Sequence, residues 1–156
     1  MSNTGIRGFY QLTETIKTQL LADVNVNTVT TGDIFDIDLS KQSIFPLSHI
    51  IINSITTQEQ VLVFNITVMA MDIVDESKEK TEDIFRGNNN EQDVLNTQLA
   101  VLNKLVMVLR KGDLYSDKFQ LEGDANLEPF CERFDNRLAG FAATMNILIH
   151  NDISIC

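Results

Sequence analysis

The sequence predicts an α+β domain: an antiparallel β-sheet with two main helices packed on one face and a long central hairpin. Apolar residues recur at helical spacing in two separate segments, residues 3–23 and 91–111. Runs rich in β-branched residues lie between and after them, punctuated by glycine, aspartate and proline. Helices that do not alternate regularly with strands favour an antiparallel sheet over a parallel one.

Composition predicts one globular domain over residues 1–156. The chain is 44% hydrophobic and 22% charged, which is ordinary usage for a folded domain of this length. Twelve basic residues against 22 acidic ones leave a net charge of -10 at pH 7. Such acidity argues against a surface that binds nucleic acid or an anionic membrane. Its general interpretation is solubility, and its more specific one is a surface that must not adhere to DNA.

Cysteine usage and the N-terminus predict a protein made in a reducing cytosol. The chain begins without a basic and then apolar signal region, and its apolar runs are too short for a membrane helix. Cys131 and Cys156 stand alone, without the spacing of a zinc site. We therefore expect both to be free thiols, with a disulfide between them as the alternative.

The first third of the chain predicts a helix followed by short strands. Ile6, Phe9, Ile16 and Leu20 fall on one helical face. Thr4 or Ser2 is a candidate cap, whereas the glycines of the first turn favour a start nearer Arg7. Residues 25–40 then read as a short strand, a Gly-Asp turn at residues 32–33 and another short strand. Phe45-Pro46 marks the entry to a longer strand.

The centre of the chain predicts two long antiparallel strands, Leu47–Thr57 and Val61–Asp75, joined by a short polar turn. The second is apolar on both faces, as expected for a central strand covered on two sides or packed on a neighbouring subunit. Residues 76–92 are charged and then rich in asparagine, which predicts a projecting, mobile loop. Ile84 and Phe85 are its apolar pair and a candidate partner contact.

The last part of the chain predicts a second helix and further strands. Helical periodicity runs from Glu91 to Lys111, with Asp93 in the first turn and Gly112 as a stop. Strands are then expected at residues 118–121, 125–133 and 138–150, with Gly123-Asp124 as a turn between the first two.

Catalytic patterns are scarce, and we expect neither an enzyme nor a cofactor. His49 and His150 lie at strand ends and are interpreted as structural or surface residues. Cys131 has no histidine near it in the sequence, so nucleophilic catalysis gains no support. The aspartates at 36 and 38, and those at 72 and 75, could share a divalent cation, but such spacings arise by chance in an acidic chain, and no metal site is predicted.

A family resemblance rests on the segment Glu132–Ile147, ERFDNRLAGFAATMNI, followed by Asn151-Asp152 and a late cysteine. An acidic and aromatic run that leads through Asn-x-Leu-x-Gly into an alternating strand resembles the closing segment of phage tail-terminator (tail-completion or neck) proteins. The order of elements is similar as well. Where the family often has tryptophan after the glycine, this chain has Phe141.

The resemblance implies a structural virion protein, made in the bacterial host, that forms a homo-oligomeric ring, commonly six-fold. Such a ring joins the tail tube to the neck proteins, and DNA passes through without specific binding. Candidate interface residues are Ile84, Phe85, Phe134, Asn136, Arg137 and Phe141. A lumen lined by carboxylates would repel phosphate, and the acidic candidates for it are Asp36, Asp38, Glu79, Glu82 and Asp83.

Two other function classes stay open at this point. One is another head-to-tail connector or a tail-tube subunit of similar composition. The other is a host-directed or enzymatic protein, which the scarcity of catalytic patterns disfavours. The position of the gene between those for head-completion and tail-tube proteins would favour the terminator.

Overall fold

The computed structural model describes residues 4–33, 44–59, 61–74, 90–111, 119–133 and 137–150. Within them the elements, in chain order, are α1 (Thr4–Leu21), β1 (Thr28–Thr31), β2 (Leu47–Thr57), β3 (Val61–Ile73), α2 (Glu91–Lys111), β4 (Phe119–Arg133) and β5 (Arg137–His150). The described strands form one five-stranded sheet in the order β1-β2-β3-β5-β4. The predicted α+β class and the long hairpin of β2 and β3 are confirmed.

The sheet is mixed rather than wholly antiparallel, so the prediction was wrong in this detail. β1 runs parallel to β2, with Thr28 opposite Leu47 and Thr31 opposite Ile50. Parallel neighbours require a crossover connection rather than a tight turn, and residues 32–46 supply its length. Gly32 begins that connection with a φ of 102°, a left-handed conformation that favours glycine. The second short strand expected within residues 34–40 lies outside the described residues.

Local chemistry accounts for the end of α1 and for the start of α2. α1 starts at Thr4, so the expected start near Arg7 was wrong. It ends at Leu21, after which the Asp23 carboxylate accepts the backbone N–H of Asn25 at 2.9 Å and turns the chain. α2 has Glu91 and Asp93 in its first turn, where carboxylates favour the helix dipole. The loop predicted for residues 76–92 therefore stops before Glu91, and its residues 76–89 lie outside the described part.

α1 and α2 pack on the same face of the sheet, as predicted. Leu12, Ile16 and Leu20 form the buried side of α1, and Leu102 and Leu109 belong to that of α2. These side chains share one core cluster with every second residue of β3 and β5: Leu62, Phe64, Ile66, Val68, Ala70, Ala143, Met145, Ile147 and Ile149. Burial of aliphatic side chains, at about 1.5–3 kcal/mol each, is the main source of the stability of this layer.

β4 is one long strand, which corrects the turn predicted at Gly123-Asp124. Its pairing with β5 continues on both sides, with a register shift between Glu122 and Asn126. Gly123 has a φ of 66°, so the glycine serves a bulge inside the strand instead of a chain reversal. Arg110 of α2 holds the bulge by donating to the Gly123 carbonyl at 3.2 Å and to the Asp124 carboxylate at 3.0 Å.

Candidate interface on the helix-free face of the sheet

The side of the sheet away from α1 and α2 is the candidate functional surface. Successive residues of a strand point to opposite faces, so residues 61, 63, 65, 67, 69, 71 and 73 of β3 point away from the helices. We call this side, as formed by β2, β3, β5 and β4, the helix-free face. Most of these β3 side chains are half-buried, whereas Leu62, Phe64, Ile66, Val68 and Ala70, which face the helices, are buried.

A hydrogen-bonded band of amides and hydroxyls crosses the middle of the helix-free face. Asn53 of β2 donates to the Asn65 side-chain oxygen at 3.0 Å and to the Thr67 hydroxyl at 2.8 Å. Asn65 in turn donates to Asn146 of β5 at 2.8 Å. The Thr67 and Thr144 hydroxyls lie 3.4 Å apart. We call these five residues the polar band; it links three adjacent strands through their side chains.

A bulge in β2 brings Asn53 into the polar band. The pairing of β2 with β3 shifts register between Ile52 and Ser54, which leaves Asn53 without a partner in the ladder. A bulge re-aims side chains locally, and here the Asn53 amide reaches two residues of β3. The uncharged amide groups keep further hydrogen-bonding capacity for a partner, because each side-chain amide has two donors and two lone pairs.

A second apolar cluster closes one end of the helix-free face. Phe45, Leu47, Met71 and Leu138 are buried there, with Ile44, Met69, Ile73 and Phe130 packed against them. Residues 44–46 carry Phe45 to this cluster directly before β2 begins, and the Phe45-Pro46 peptide bond is cis. The apolar character predicted for both faces of β3 is therefore satisfied at this end within the chain itself.

Gly140 lies beside this cluster, at a point where the backbone of β3 comes close to that of β5. A Cβ on Gly140 would overlap the Ala70 carbonyl oxygen and would lie 2.9 Å from the Met71 Cα. Gly140 is paired with Met71 on one side and with Phe130 on the other. The Phe130 side chain thus has a glycine beside it in the ladder. Close packing of the strands requires glycine at this position of residues 132–147.

Carboxylates mark the β4 margin of the helix-free face. Glu122 is paired with Asn146, and Glu128 with Ala142, so both point to the side of the polar band. Asn126, between them, donates to the Glu128 carboxylate at 3.1 Å. All three side chains are exposed. Among the described side chains of this face there is no lysine or arginine, so its charge is negative.

His49 is the buried titratable group of this face, at 0% exposure. Its Nε2 lies 2.8 Å from the Gly32 carbonyl oxygen, so this nitrogen carries the proton and donates it. Nδ1 then accepts from the Thr30 hydroxyl at 2.7 Å. Burial lowers the pKa of His49 below 6.5, although the bond to Gly32 and the charge of Asp33 act in the opposite direction. The histidine is neutral and ties β1 to β2, as a structural residue.

Cys131 is an exposed thiol on the helical side of β4. Its Sγ donates to the Glu91 carboxylate in the first turn of α2, at 2.7 Å. This bond joins β4 to the start of α2. Cys156 lies outside the described residues.

Only some of the site residues predicted from the sequence lie within the described part of the chain. Phe141 is half-buried and packs against the main core on the helical side, paired with Ala70 and Pro129. Arg137 begins β5, and its side chain lies outside the described part. The remaining predicted interface and lumen residues lie outside it too: Ile84, Phe85, Phe134, Asn136, Asp36, Asp38, Glu79, Glu82 and Asp83. Their roles stay predictions.

The described residues bring together few groups suited to catalysis. A cavity of about 150 Å³ between α1 and β1 is lined in part by Glu14, Lys17 and Thr30. The Thr30 hydroxyl is bonded to His49, so the described lining of the cavity offers exposed charged groups at Glu14 and Lys17 but no activated nucleophile. Among the residues described, histidines, cysteines and carboxylates do not cluster in a group that could hold a metal ion. None of the described helices is long and apolar enough to cross a membrane.

Comparison with protein-family profiles finds no match for this chain, and comparison with curated proteins finds none.

Proposed function

We propose that this chain is a structural subunit of a tailed phage, a tail terminator that assembles into a homo-oligomeric ring between the tail tube and the neck. The proposal begins from the resemblance of residues 132–147 to tail-completion proteins. That resemblance implies six-fold symmetry and virion localisation. Within the segment, Gly140 has a packing role that leaves no room for a side chain.

The observation that carries the proposal is the helix-free face. It presents half-buried aliphatic side chains and the polar band, and the described helices both lie on the other side. Surfaces of mixed aliphatic and amide character, with few charges at the centre, are typical of subunit interfaces. A face that contacts a different surface on the next copy makes a heterologous interface, and such an interface forms a ring when the rotation between copies closes.

The net charge of -10 fits a ring through which DNA moves. Carboxylates facing a lumen would repel phosphate and so oppose adhesion of the genome to the wall. Asp36, Asp38, Glu79, Glu82 and Asp83 remain the proposed lumen residues. The exposed carboxylates of β4, at Glu122 and Glu128, are a further acidic group on the protein surface.

The mass of the purified protein in solution tests the proposal, followed by negative-stain images of any oligomer. We expect closed rings with a lumen wide enough for duplex DNA. Rings that bind the end of a purified tail tube, and no other part of the particle, would support a terminator over a tube subunit. A chain that stays monomeric, alone and with tail tubes, would contradict the proposal.

A further inference from the structure

The outer side of α2 carries an exposed surface that complements the helix-free face in charge and in its aliphatic and amide side chains. Leu99 and Met107 are 39% and 41% exposed, and Asn103 and Lys104 lie between them and are exposed as well. We call these four residues the α2 strip. From Leu99 to Arg110 the helix contains no acidic residue, although the chain as a whole is strongly acidic.

Lys104 is the cation of the α2 strip. It borders a cleft between α1 and α2 that Asp23 also lines. The Asp23 carboxylate already accepts the backbone N–H of Asn25 at 2.9 Å. Arg110, one helical turn beyond Met107, is bonded to Gly123 and Asp124 of its own chain. Lys104 is therefore the residue of this helix best placed to meet a carboxylate of a partner.

The helix-free face offers the opposite charge. Glu122 and Glu128 project from β4 on that side, and no lysine or arginine accompanies them among the described side chains of the face. Beside them lie the uncharged polar band and half-buried aliphatic residues such as Val63 and Leu148. The α2 strip thus combines a cation, an amide and two aliphatic side chains, against carboxylates, amides and aliphatic side chains on the sheet.

We propose that the α2 strip of one copy docks on the helix-free face of the next copy, with Lys104 against Glu122 and Glu128. This inference rests on the proposed ring and names the two surfaces that build it. Two helix-free faces in contact with each other would bring carboxylates together without a cation, which disfavours a symmetric dimer through this face. Contact between two different surfaces repeats from copy to copy and forms a ring when the rotation between copies closes.

Charge reversal on each side tests the interface. K104E places a carboxylate on the α2 strip, and the double variant E122K/E128K places lysines on the sheet. Each protein alone should lose at least about tenfold in the association constant between subunits, because like charges then meet at every contact. K17E is the matched control for K104E: Lys17 is exposed on α1, outside the α2 strip, and both reversals change the net charge by the same amount. We expect the control to assemble like the wild type.

Mixing the two defective proteins gives the decisive readout. A K104E strip should bind an E122K/E128K sheet, and an unmodified strip should bind an unmodified sheet. An equimolar mixture should therefore recover rings in which the variants alternate, with an even number of subunits. Circular dichroism of each variant checks that the fold is kept.

The outcomes separate this interface from the proposed function. If the wild type forms rings and K104E alone forms them equally well, the proposed interface is wrong. It is also wrong if the variants lose the rings and mixing them does not restore assembly. In both cases the proposed ring itself still stands. A wild type that never assembles, even with tail tubes, would overturn both.

Discussion

Asn65 of β3 donates its side-chain amide to the side-chain oxygen of Asn146 of β5 at 2.8 Å, across 81 positions of sequence. Asn65 also accepts from Asn53 at 3.0 Å, so one amide side chain connects three strands. The bond to Asn146 is part-buried. Loss of either Asn65 or Asn146 would leave the amide of the other residue without this hydrogen bond. The polar band is therefore both a surface and a support of the sheet.

Replacing Asn65 by alanine should lower the free energy of unfolding by about 1–3 kcal/mol, because two side-chain hydrogen bonds are lost. Denaturant unfolding of N65A and the wild type measures the difference. S54A is the matched control, since Ser54 is opposite Asn65 in the ladder and exposed. If N65A and S54A unfold at the same denaturant concentration, the band contributes nothing to stability.

Replacing Gly140 by alanine should destabilise the fold by about 3 kcal/mol or more, because overpacking against backbone cannot be relieved by side-chain rotation. The new methyl group would meet the Ala70 carbonyl and the Met71 Cα. Thermal or denaturant unfolding would detect the loss.

G123A provides the comparison for G140A. Space is open around Gly123, but its φ is 66°, so alanine there should cost only about 1–2 kcal/mol from the left-handed backbone. A smaller effect for G140A than for G123A would contradict the close approach of β3 and β5.

The stability of the protein should fall on acidification through the titration of His49. Its pKa is lowered in the folded protein, mainly by burial, so the unfolded chain binds more protons once the pH drops below about 6.5. This contribution is complete above that pH and is lost as the pH falls towards the folded pKa. The measurement is the denaturation midpoint of the wild type and of H49Q at several pH values.

The difference between the two pH curves isolates the histidine from the carboxylates, which titrate in both proteins. We expect H49Q to be less stable at neutral pH and to show a flatter dependence below about pH 6.5. Parallel curves for H49Q and the wild type would mean that His49 is not buried in its neutral form.

Replacing Gln98 by methionine should stabilise the protein by about 1–2 kcal/mol, since the amide is buried without compensation. Gln98 is 1% exposed, and within the described part of the chain neither its Nε2 nor its Oε1 has a hydrogen-bond partner. Q120M, at an exposed position of β4, is the control and should be close to neutral. A stability loss in Q98M would indicate that the amide has a partner, such as a bound water molecule.

Periodicity predicted the elements whose formation is local. The α2 pattern gave Glu91–Lys111, and the hairpin strands were predicted to within two residues, because side-chain spacing along one segment determines which face it buries. Gly123 shows the limit of such local signals. A left-handed glycine suits both a turn and a bulge, and the choice between them depends on β5, which pairs on both sides of it.

The polar band could be predicted only in part. Asn65 and Thr67 share one parity in β3, and Thr144 and Asn146 share one parity in β5, so the sequence indicates two polar stretches. Contact between these two stretches depends on the register between β3 and β5. The contact of Asn53 with β3 depends on the bulge in β2. The parallel pairing of β1 was not predictable either, because four residues carry no sign of their direction.

The strand order has a consequence for synthesis of the protein on the ribosome. β5 lies between β3 and β4, so β3 gains its second neighbour only after residues 137–150 have been made. Until then the nascent chain exposes one edge of β3, the most apolar strand. Completion of the sheet depends on pairing between segments far apart in sequence, and such pairing forms slowly. A chain interrupted before β5 would hold no continuous sheet from β1 to β4. Incomplete chains should therefore be open to proteolysis.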